Sequence, residues 1–377
     1  MTLDVAVIGA GIMGLAAARS LAKSGANVTV FEAAPRFCGA QGGSRGKARV
    51  TRLTYGHEDY CNLAKWAYTA WDSLGETFGE PLYRKVGGLD ISLSRIGALD
   101  AYCSALNSAN IPFEIWDAQT TQAKFPNIAL PEGAVALFQE DTAVLHADLC
   151  AAALEQEART AGATVNYGAK VTDVRPVEAS VELATEHGHH RFDRVVICAG
   201  AEMQSWAETL GTPLNLQFSR EQVSYFSARD RDAHHADNMP ILIFHLGDNV
   251  LSSVFPILRD DPVKAMVENN GRVTASVEEL NRIKVGELQE FILPNLPRLE
   301  PDPAETDTCH YILTQDDDFV VDRLPNAPNV VVCSACSGHG FKFAPVLGDL
   351  MRDLALSDEK AVPRFAIDFA MRPGLAP

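Results

Sequence analysis

The 377-residue chain has no hydrophobic run long enough to cross a bilayer. Its most apolar uncharged stretch, Val5 to Ala18, is closed off by Asp4 and Arg19, short of the roughly 20 residues that a spanning helix needs. Basic charge is also scarce. Thirty-two Lys and Arg stand against 49 Asp and Glu, a formal net charge of −17. No basic run offsets this, so neither nucleic acid nor an anionic membrane is an expected partner. Met1-Thr2-Leu3-Asp4 lacks the basic start of a secretory signal, and no small-residue cleavage site follows. The eight cysteines have no disulfide-framework spacing, which points to reduced thiols in the cytosol. There is no internal repeat and no low-complexity segment. Apolar residues make up 47% and charged residues 21%, a globular composition with room for two domains.

The first 32 residues are the most legible. Leu3 to Ile8 reads as a buried parallel strand. Gly9-x-Gly11-x-x-Gly14 follows, then a helix from Leu15 to Lys23 with Gly25 placed to end it, then a strand Val28 to Phe31 closed by Glu32. This is the context a dinucleotide fingerprint requires. Gly9 permits the tight turn, Gly11 lets backbone amides approach a pyrophosphate, and Gly14 lets helix and strand pack closely. Glu32 suits the hydroxyl pair of a ribose. One fingerprint implies one dinucleotide, and FAD and NAD both remain open at this point.

Residues 36–47 read as a Gly/Ser/Arg-rich loop, 59–78 as helix, 82–92 as strand and 96–110 as helix. Ala147 to Ala161 is helical, with short strands at 163–165 and 170–174 and a hairpin over 179–192. Arg194 to Cys198 and Asn329 to Val332 are buried strands. Residues 215–260 alternate as antiparallel strands, 277–294 is helical, and a last helix starts near Pro345. Strands at 4, 195 and 330 belong to one doubly wound sheet, and antiparallel stretches interrupt it. The expected fold is therefore α/β and discontinuous. A Rossmann-like cofactor domain (1–83, 144–217 and 308–377) is paired with a mostly antiparallel substrate domain with helices (84–143 and 218–307).

Several motifs occur in a recognisable order: the fingerprint, Gly43-Ser44-Arg45-Gly46 with Arg49-x-x-Arg52, the strand 195–200, Cys309-His310-Tyr311 and Ser337-Gly338-His339-Gly340-Phe341-Lys342-Phe343. Together they resemble the monomeric sarcosine oxidase and N-methyltryptophan oxidase family, within the D-amino-acid-oxidase-like flavoproteins, over essentially the whole chain. The resemblance implies FAD, linked as a thioether to Cys309, and oxidation of a secondary amino acid with hydrogen peroxide as co-product. It implies a monomer. It places Gly9, Gly11, Gly14, Glu32, Ser44, Arg45, Gly338, Gly340 and Lys342 at the cofactor, and Arg52 with Lys342 at the substrate carboxylate. Lys264 corresponds to the lysine that promotes reaction with oxygen, and Arg49, Tyr311 and His339 to residues beside the flavin and substrate.

Two positions depart from the sarcosine oxidase pattern, which has a histidine where this chain has Glu268 and an aromatic residue where it has Ser253. The expected substrate is accordingly larger or more polar than sarcosine, with Glu268 accepting a hydrogen bond from it. Cys333-x-x-Cys336 lacks a second pair or a thioredoxin pattern and reads as coincidence. A related enzyme that passes electrons to another acceptor, and a flavin-binding protein without turnover, are the alternatives. A mere flavin binder has no use for the cations at 52 and 342.

Overall fold

The computed structural model describes residues 2–39, 42–93, 96–247 and 250–370. Positions 40 and 41 of the loop expected over 36–47 lie outside the described residues. Asp4–Ile8 is apolar from its second residue on and β-branched at Val5, Val7 and Ile8, and those four apolar residues are fully or nearly buried. It forms the centre of a six-stranded sheet ordered Val320–Leu324, Ala327–Ser334, Arg194–Ile197, Asp4–Ile8, Asn27–Glu32, Thr164–Tyr167. All neighbours in this sheet are parallel except the first pair. Such a sheet needs helices on its faces. Ile12–Lys23, Ala147–Thr160 and Ala344–Leu356 supply one cover, closing a core with Trp71 of helix Glu58–Phe78. A three-stranded sheet, Val171–Val177, Ser180–Thr185 and Gly188–Phe192, helps close a second core on strand residues Ala6, Val195 and Val330.

The second layer is an eight-stranded sheet: Glu305–Leu313, Gln217–Phe226, Val263–Val267, Leu251–Phe255, Ile241–His245, Gly88–Ser92, Val135–Gln139 and Glu114–Asp117. It is antiparallel apart from the Ile241–His245 and Gly88–Ser92 pair. A doubly wound sheet joined to a mostly antiparallel one is thus the observed α/β architecture. The expected divisions at 143/144, 217/218 and 307/308 each fall at or within a strand, Ala143–His146, Gln217–Phe226 and Glu305–Leu313. Cys309 and Tyr311 therefore belong to the antiparallel sheet, not to the parallel one.

Other differences have local causes. The strand expected over 82–92 breaks at Gly87, φ +74°, and its halves, Tyr83–Lys85 and Gly88–Ser92, enter different sheets. Val263–Val267 shows no polar alternation because all five residues are buried, Lys264 included. The helix expected over 277–294 is regular only over Val277–Glu287 and continues as a wider turn, Leu288–Ile292, ahead of Pro294, which lacks an amide to donate. Among the described residues no helix is long and apolar enough to cross a membrane.

Close approach of Ile12–Lys23 and Ala344–Leu356 depends on Gly348. A Cβ there would lie 2.6 Å from the carbonyl oxygen of Ala16, and backbone cannot yield as a side-chain tip can. Gly348→Ala is expected to cost about 1–3 kcal/mol, read as a lower midpoint in chemical unfolding. An unchanged midpoint would contradict this packing.

Candidate active site

One cavity of about 600 Å3 runs from the fingerprint to the face of the antiparallel sheet. At its first end, Gly9 has φ +98°, and a Cβ on Gly14 would lie 1.9 Å from the Gly9 oxygen. Both positions therefore demand glycine. Ser44 Oγ accepts from the Ile12 amide at 3.1 Å, which docks the 42–46 loop over the helix start. Glu32 closes its strand with one carboxylate oxygen on the Ala10 amide, 2.6 Å, and the other on Ala34, 2.7 Å. These features fit an elongated dinucleotide with its pyrophosphate at the helix N-terminus.

Farther along, Ala48 carries two cations. Its carbonyl oxygen accepts from Arg49 Nη1 at 2.9 Å and from Lys264 Nζ at 3.0 Å. Arg49 also donates to the carbonyls of Gly43 and Arg45 and lies 5.5 Å from the Phe341 ring centre. Arg45 itself pairs with Asp307 at the rim. Lys264 sits opposite Phe255 in register, its ammonium 4.5 Å from that ring centre. Burial first, and Arg49 second, pull the Lys264 ammonium down to about 7. Cys309 and Tyr311, two apart on one strand, face the same cavity. Burial pushes the Cys309 thiol up to about 11. All eight cysteines are unpaired, and Cys38, Cys198, Cys309, Cys333 and Cys336 line this cavity.

The third wall is the segment after strand Ala327–Ser334. Ser337 has φ +36° and Gly338 φ +71°. A Cβ on Gly340 would lie 1.9 Å from the Ala335 oxygen. The Ser-Gly-x-Gly spelling is thus a requirement of this turn, which delivers Lys342. The Lys342 ammonium donates to Tyr55 Oη at 2.8 Å and to the His339 carbonyl at 2.7 Å. Burial, reinforced by Arg52, holds it well below the usual lysine range. Its own carbonyl accepts from Trp71 Nε1 at 2.7 Å. His339 donates through Nε2 to the Asp317 carbonyl at 2.9 Å and stacks on Phe319, with Tyr55, Tyr60 and Phe343 also around it. Burial pulls its imidazole down to about 3, so it is neutral. Its Nδ1 has no protein partner.

Arg52 also lines the cavity, and the protein supplies it with an internal counter-charge. Arg52 Nη1 pairs with Asp90 Oδ1 at 2.8 Å, and His245 Nε2 meets the same oxygen at 2.9 Å. The guanidinium also lies 5.1 Å from the Tyr55 ring centre. Burial opposes its charge, but Asp90 and the neighbouring tyrosines outweigh this and raise it above its ordinary value. Ser253 and Glu268 both line the cavity. Sequence reasoning missed Asp90, His245, Tyr55 and Trp71. One signal was available: a charged residue inside the otherwise apolar run Gly88-Leu89-Asp90-Ile91.

The family model described as FAD dependent oxidoreductase matches residues 4–354. The chain belongs to this FAD-dependent oxidoreductase family. Peroxisomal sarcosine oxidase of Homo sapiens is 28% identical over 368 residues, 94% of this chain and 92% of the relative. N-methyl-L-tryptophan oxidase of Yersinia pestis (strain Pestoides F) is 28% identical over 361 residues, 93% and 94% of the two chains. Among solved structures, NikD, an unusual amino acid oxidase essential for nikkomycin biosynthesis, superposes with TM-score 0.82 at 24% identity over 97% of both chains. L-proline dehydrogenase from P. horikoshii superposes with TM-score 0.81 at 18% identity, over 96% of this chain and 95% of that one. The family assignment identifies the dinucleotide of the fingerprint as FAD.

The buried Arg52–Asp90–His245 cluster is a point of fragility. Asp90→Ala would leave a guanidinium and an imidazole without their shared acceptor. The expected cost is about 3–5 kcal/mol of unfolding free energy, measured by urea titration. A loss under 1 kcal/mol would mean that Asp90 does not neutralise Arg52.

Proposed function

We infer that the chain oxidises the C–N bond of a secondary amino acid, N-methyl, N-alkyl or cyclic, to an imine, with reduction of dioxygen to hydrogen peroxide. The observation that carries this reading is the buried pair Arg52 and Lys342 at one end of the cavity, with Lys264 and Cys309 along the same walls. The names of the two relatives speak of sarcosine and N-methyl-L-tryptophan, both N-methyl amino acids. Bound FAD supplies a two-electron acceptor that dioxygen re-oxidises.

The protein's own share is positioning and electrostatics. Lys342 binds the substrate carboxylate, its ammonium preset by Tyr55 and the His339 carbonyl. Arg52, already matched by Asp90, adds a planar hydrogen-bond donor more than a net charge. Neutral His339, clamped by aromatic rings, orders the turn that carries Lys342. Tyr311 and Ser253 shape the wall beside the reacting carbon. Gly9, Gly11, Gly14, Glu32, Ser44, Arg45, Gly338 and Gly340 cradle the cofactor, and Cys309 is its point of covalent attachment. Arg49 and Lys264 would supply positive charge to the cavity when FAD is bound, and Lys264 would stabilise the negative charge that develops on dioxygen as it is reduced.

The covalent link is tested by acid precipitation. Colour should remain in the wild-type pellet and move to the supernatant in Cys309→Ala. A yellow wild-type supernatant would show that the FAD is held without a bond. An amine panel scored by peroxide under air tests the reaction itself. Substrates that bleach the protein anaerobically but yield no peroxide under air would make it a dehydrogenase.

The role of Lys264 predicts a pH dependence. The ammonium is charged below about 7 and neutral above it. Re-oxidation of the reduced protein by dioxygen should therefore slow as pH rises through about 7. Lys264→Met should be slow at every pH, while its reduction by substrate changes little. Equal loss in both half-reactions, seen by stopped flow, would remove Lys264 from the oxygen step.

A further inference from the structure

Among the carboxyl groups that line the cavity, that of Glu268 stands beside the turn that carries Lys342. Glu268 follows strand Val263–Val267 directly and is only partly buried, because it opens onto the cavity. Its Oε2 accepts from the Leu251 amide at 3.2 Å. Among the described residues its Oε1 has no hydrogen-bond partner, and it lies 3.3 Å from where a Gly338 Cβ would stand. Gly338 belongs to the same turn as Lys342, the group placed at the substrate carboxylate, and the His339 carbonyl that orients its ammonium. An amino acid separates its carboxylate from its nitrogen by one carbon. A carboxylate held on Lys342 keeps the nitrogen within one carbon of it, and on the Gly338 side of the turn the acceptor within reach is Oε1.

The charges around this position favour an exchange of protons. Amino acids arrive as ammonium ions, yet an ammonium has no lone pair to drive loss of hydride from the neighbouring carbon. Some group has to accept that proton. Near the turn, Arg52, Lys342, Arg49 and Lys264 are cations and the phenol of Tyr311 is a donor, while the Nδ1 of neutral His339, the other acceptor, is buried and pulled down to about 3, too weak a base for this proton. Asp90 is occupied by Arg52 and His245.

We propose that Glu268 takes the proton from the ammonium of the bound amino acid. The substrate N–H bond breaks, the pair left on nitrogen becomes its lone pair, and an O–H bond forms on Oε1. The proposal rests on the amino-acid-oxidising reading above. It makes Glu268 a catalytic residue that touches the reacting nitrogen, and not a reader of a distant side-chain group.

The surroundings poise Glu268 for this exchange. Burial, then the buried Glu221 on the adjoining strand, push it up to about 7, with Asp317 adding and the Leu251 amide and Arg52 opposing. Lys342 faces it from the turn and Tyr102 from helix Asp100–Ser108. Behind it, Lys284 of helix Val277–Glu287 donates to the Glu268 carbonyl at 2.8 Å and pairs with Glu287. The carboxylate form, needed to accept a proton, is present above about 7.

The test uses two ligands of similar shape on the holoprotein. 2-Aminoisobutyrate has an ammonium but no α-hydrogen to lose. Pivalate carries a methyl group in place of that ammonium. Calorimetric titration between pH 6 and 8 should show 2-aminoisobutyrate gaining affinity relative to pivalate as pH rises, because both ligands share every other titration in the cavity. Glu268→Gln should weaken 2-aminoisobutyrate about tenfold or more, abolish its relative pH dependence and leave pivalate unchanged. Glu268→Asp should restore part of the difference. In anaerobic reduction by the best amine, the acid limb of the wild-type pH profile should move upward toward the free amine's own ionisation in Glu268→Gln. Pivalate binding with a 2-aminoisobutyrate response indifferent to Glu268 overturns the proposal alone. Failure of both ligands to bind removes the carboxylate site, and the proposal falls with it.

Discussion

Burying positive charge around one cavity is the constraint on which the rest of this structure depends. Arg52, Lys264 and Lys342 are 6%, 8% and 2% exposed, in a chain whose formal net charge is −17. Desolvating a cation is expensive unless hydrogen bonds and counter-charges replace its water. Two solutions are used. Lys264 and Lys342 are held by carbonyl oxygens and a phenol, with no carboxylate in direct contact among the described residues, and both are pulled below the ordinary lysine range. Arg52, which cannot give up its proton at these pH values, receives a buried Asp90 instead. The difference follows from the chemistry of the two side chains. A lysine can be left near neutrality and so respond to an anion or a developing charge, while a buried arginine must be paired.

That division changes what the substrate end can recognise. On the reading proposed above, with Arg52 matched by Asp90 and His245 sharing the same carboxylate oxygen, the responsive positive charge offered to a substrate is that of Lys342. Glu268 supplies a carboxyl close to it. A pocket built this way is balanced for a ligand with one carboxylate and one amine. A dicarboxylate would bring a second negative charge against Glu268.

Sequence legibility follows the range of the interactions. The fingerprint, its helix and Glu32 were readable because a strand, a turn and a helix N-terminus are set by residues within 32 positions. The doubly wound and antiparallel layers were readable from the order of buried and alternating strands. Strand ends were less so: the halves of 82–92 part at Gly87, and Val263–Val267 hides its identity by being buried on both faces. The site residues come from segments near 50, 90, 250, 310 and 340, and no local pattern links them. Arg52, Lys264, Cys309 and Lys342 could be named only because their spacing resembles a family. Asp90 and His245 are joined through parallel pairing of strands some 150 residues apart (Asp90 opposite Ile243), and nothing in either neighbourhood announces the other.

The turn from Ser337 to Lys342 shows how backbone strain and charge placement serve one another. A non-glycine residue at φ +36° is unfavourable and persists only when its surroundings over-determine it. Ser337 Oγ lies within hydrogen-bonding distance of Thr314 Oγ1, 3.1 Å, and of the Asp318 carbonyl, 3.4 Å. The Ser337 amide donates to Ile312. Asp318 in turn is fixed by Tyr60 and Arg364. The ring of His339 fills the space between Phe319, Tyr60 and Phe343, and its neutral state avoids adding a fourth buried cation to the cluster. Trp71 then ties down the Lys342 carbonyl from the far side. Together these contacts fix where the Lys342 ammonium and the Gly338 edge stand relative to Glu268, just past strand Val263–Val267. In the proposed reaction such a fixed turn would hold the carboxylate binder and the proton acceptor at the spacing an amino acid requires. A mobile turn would let Lys342 collapse onto Glu268 as an internal ion pair, and neither would then be free for a ligand.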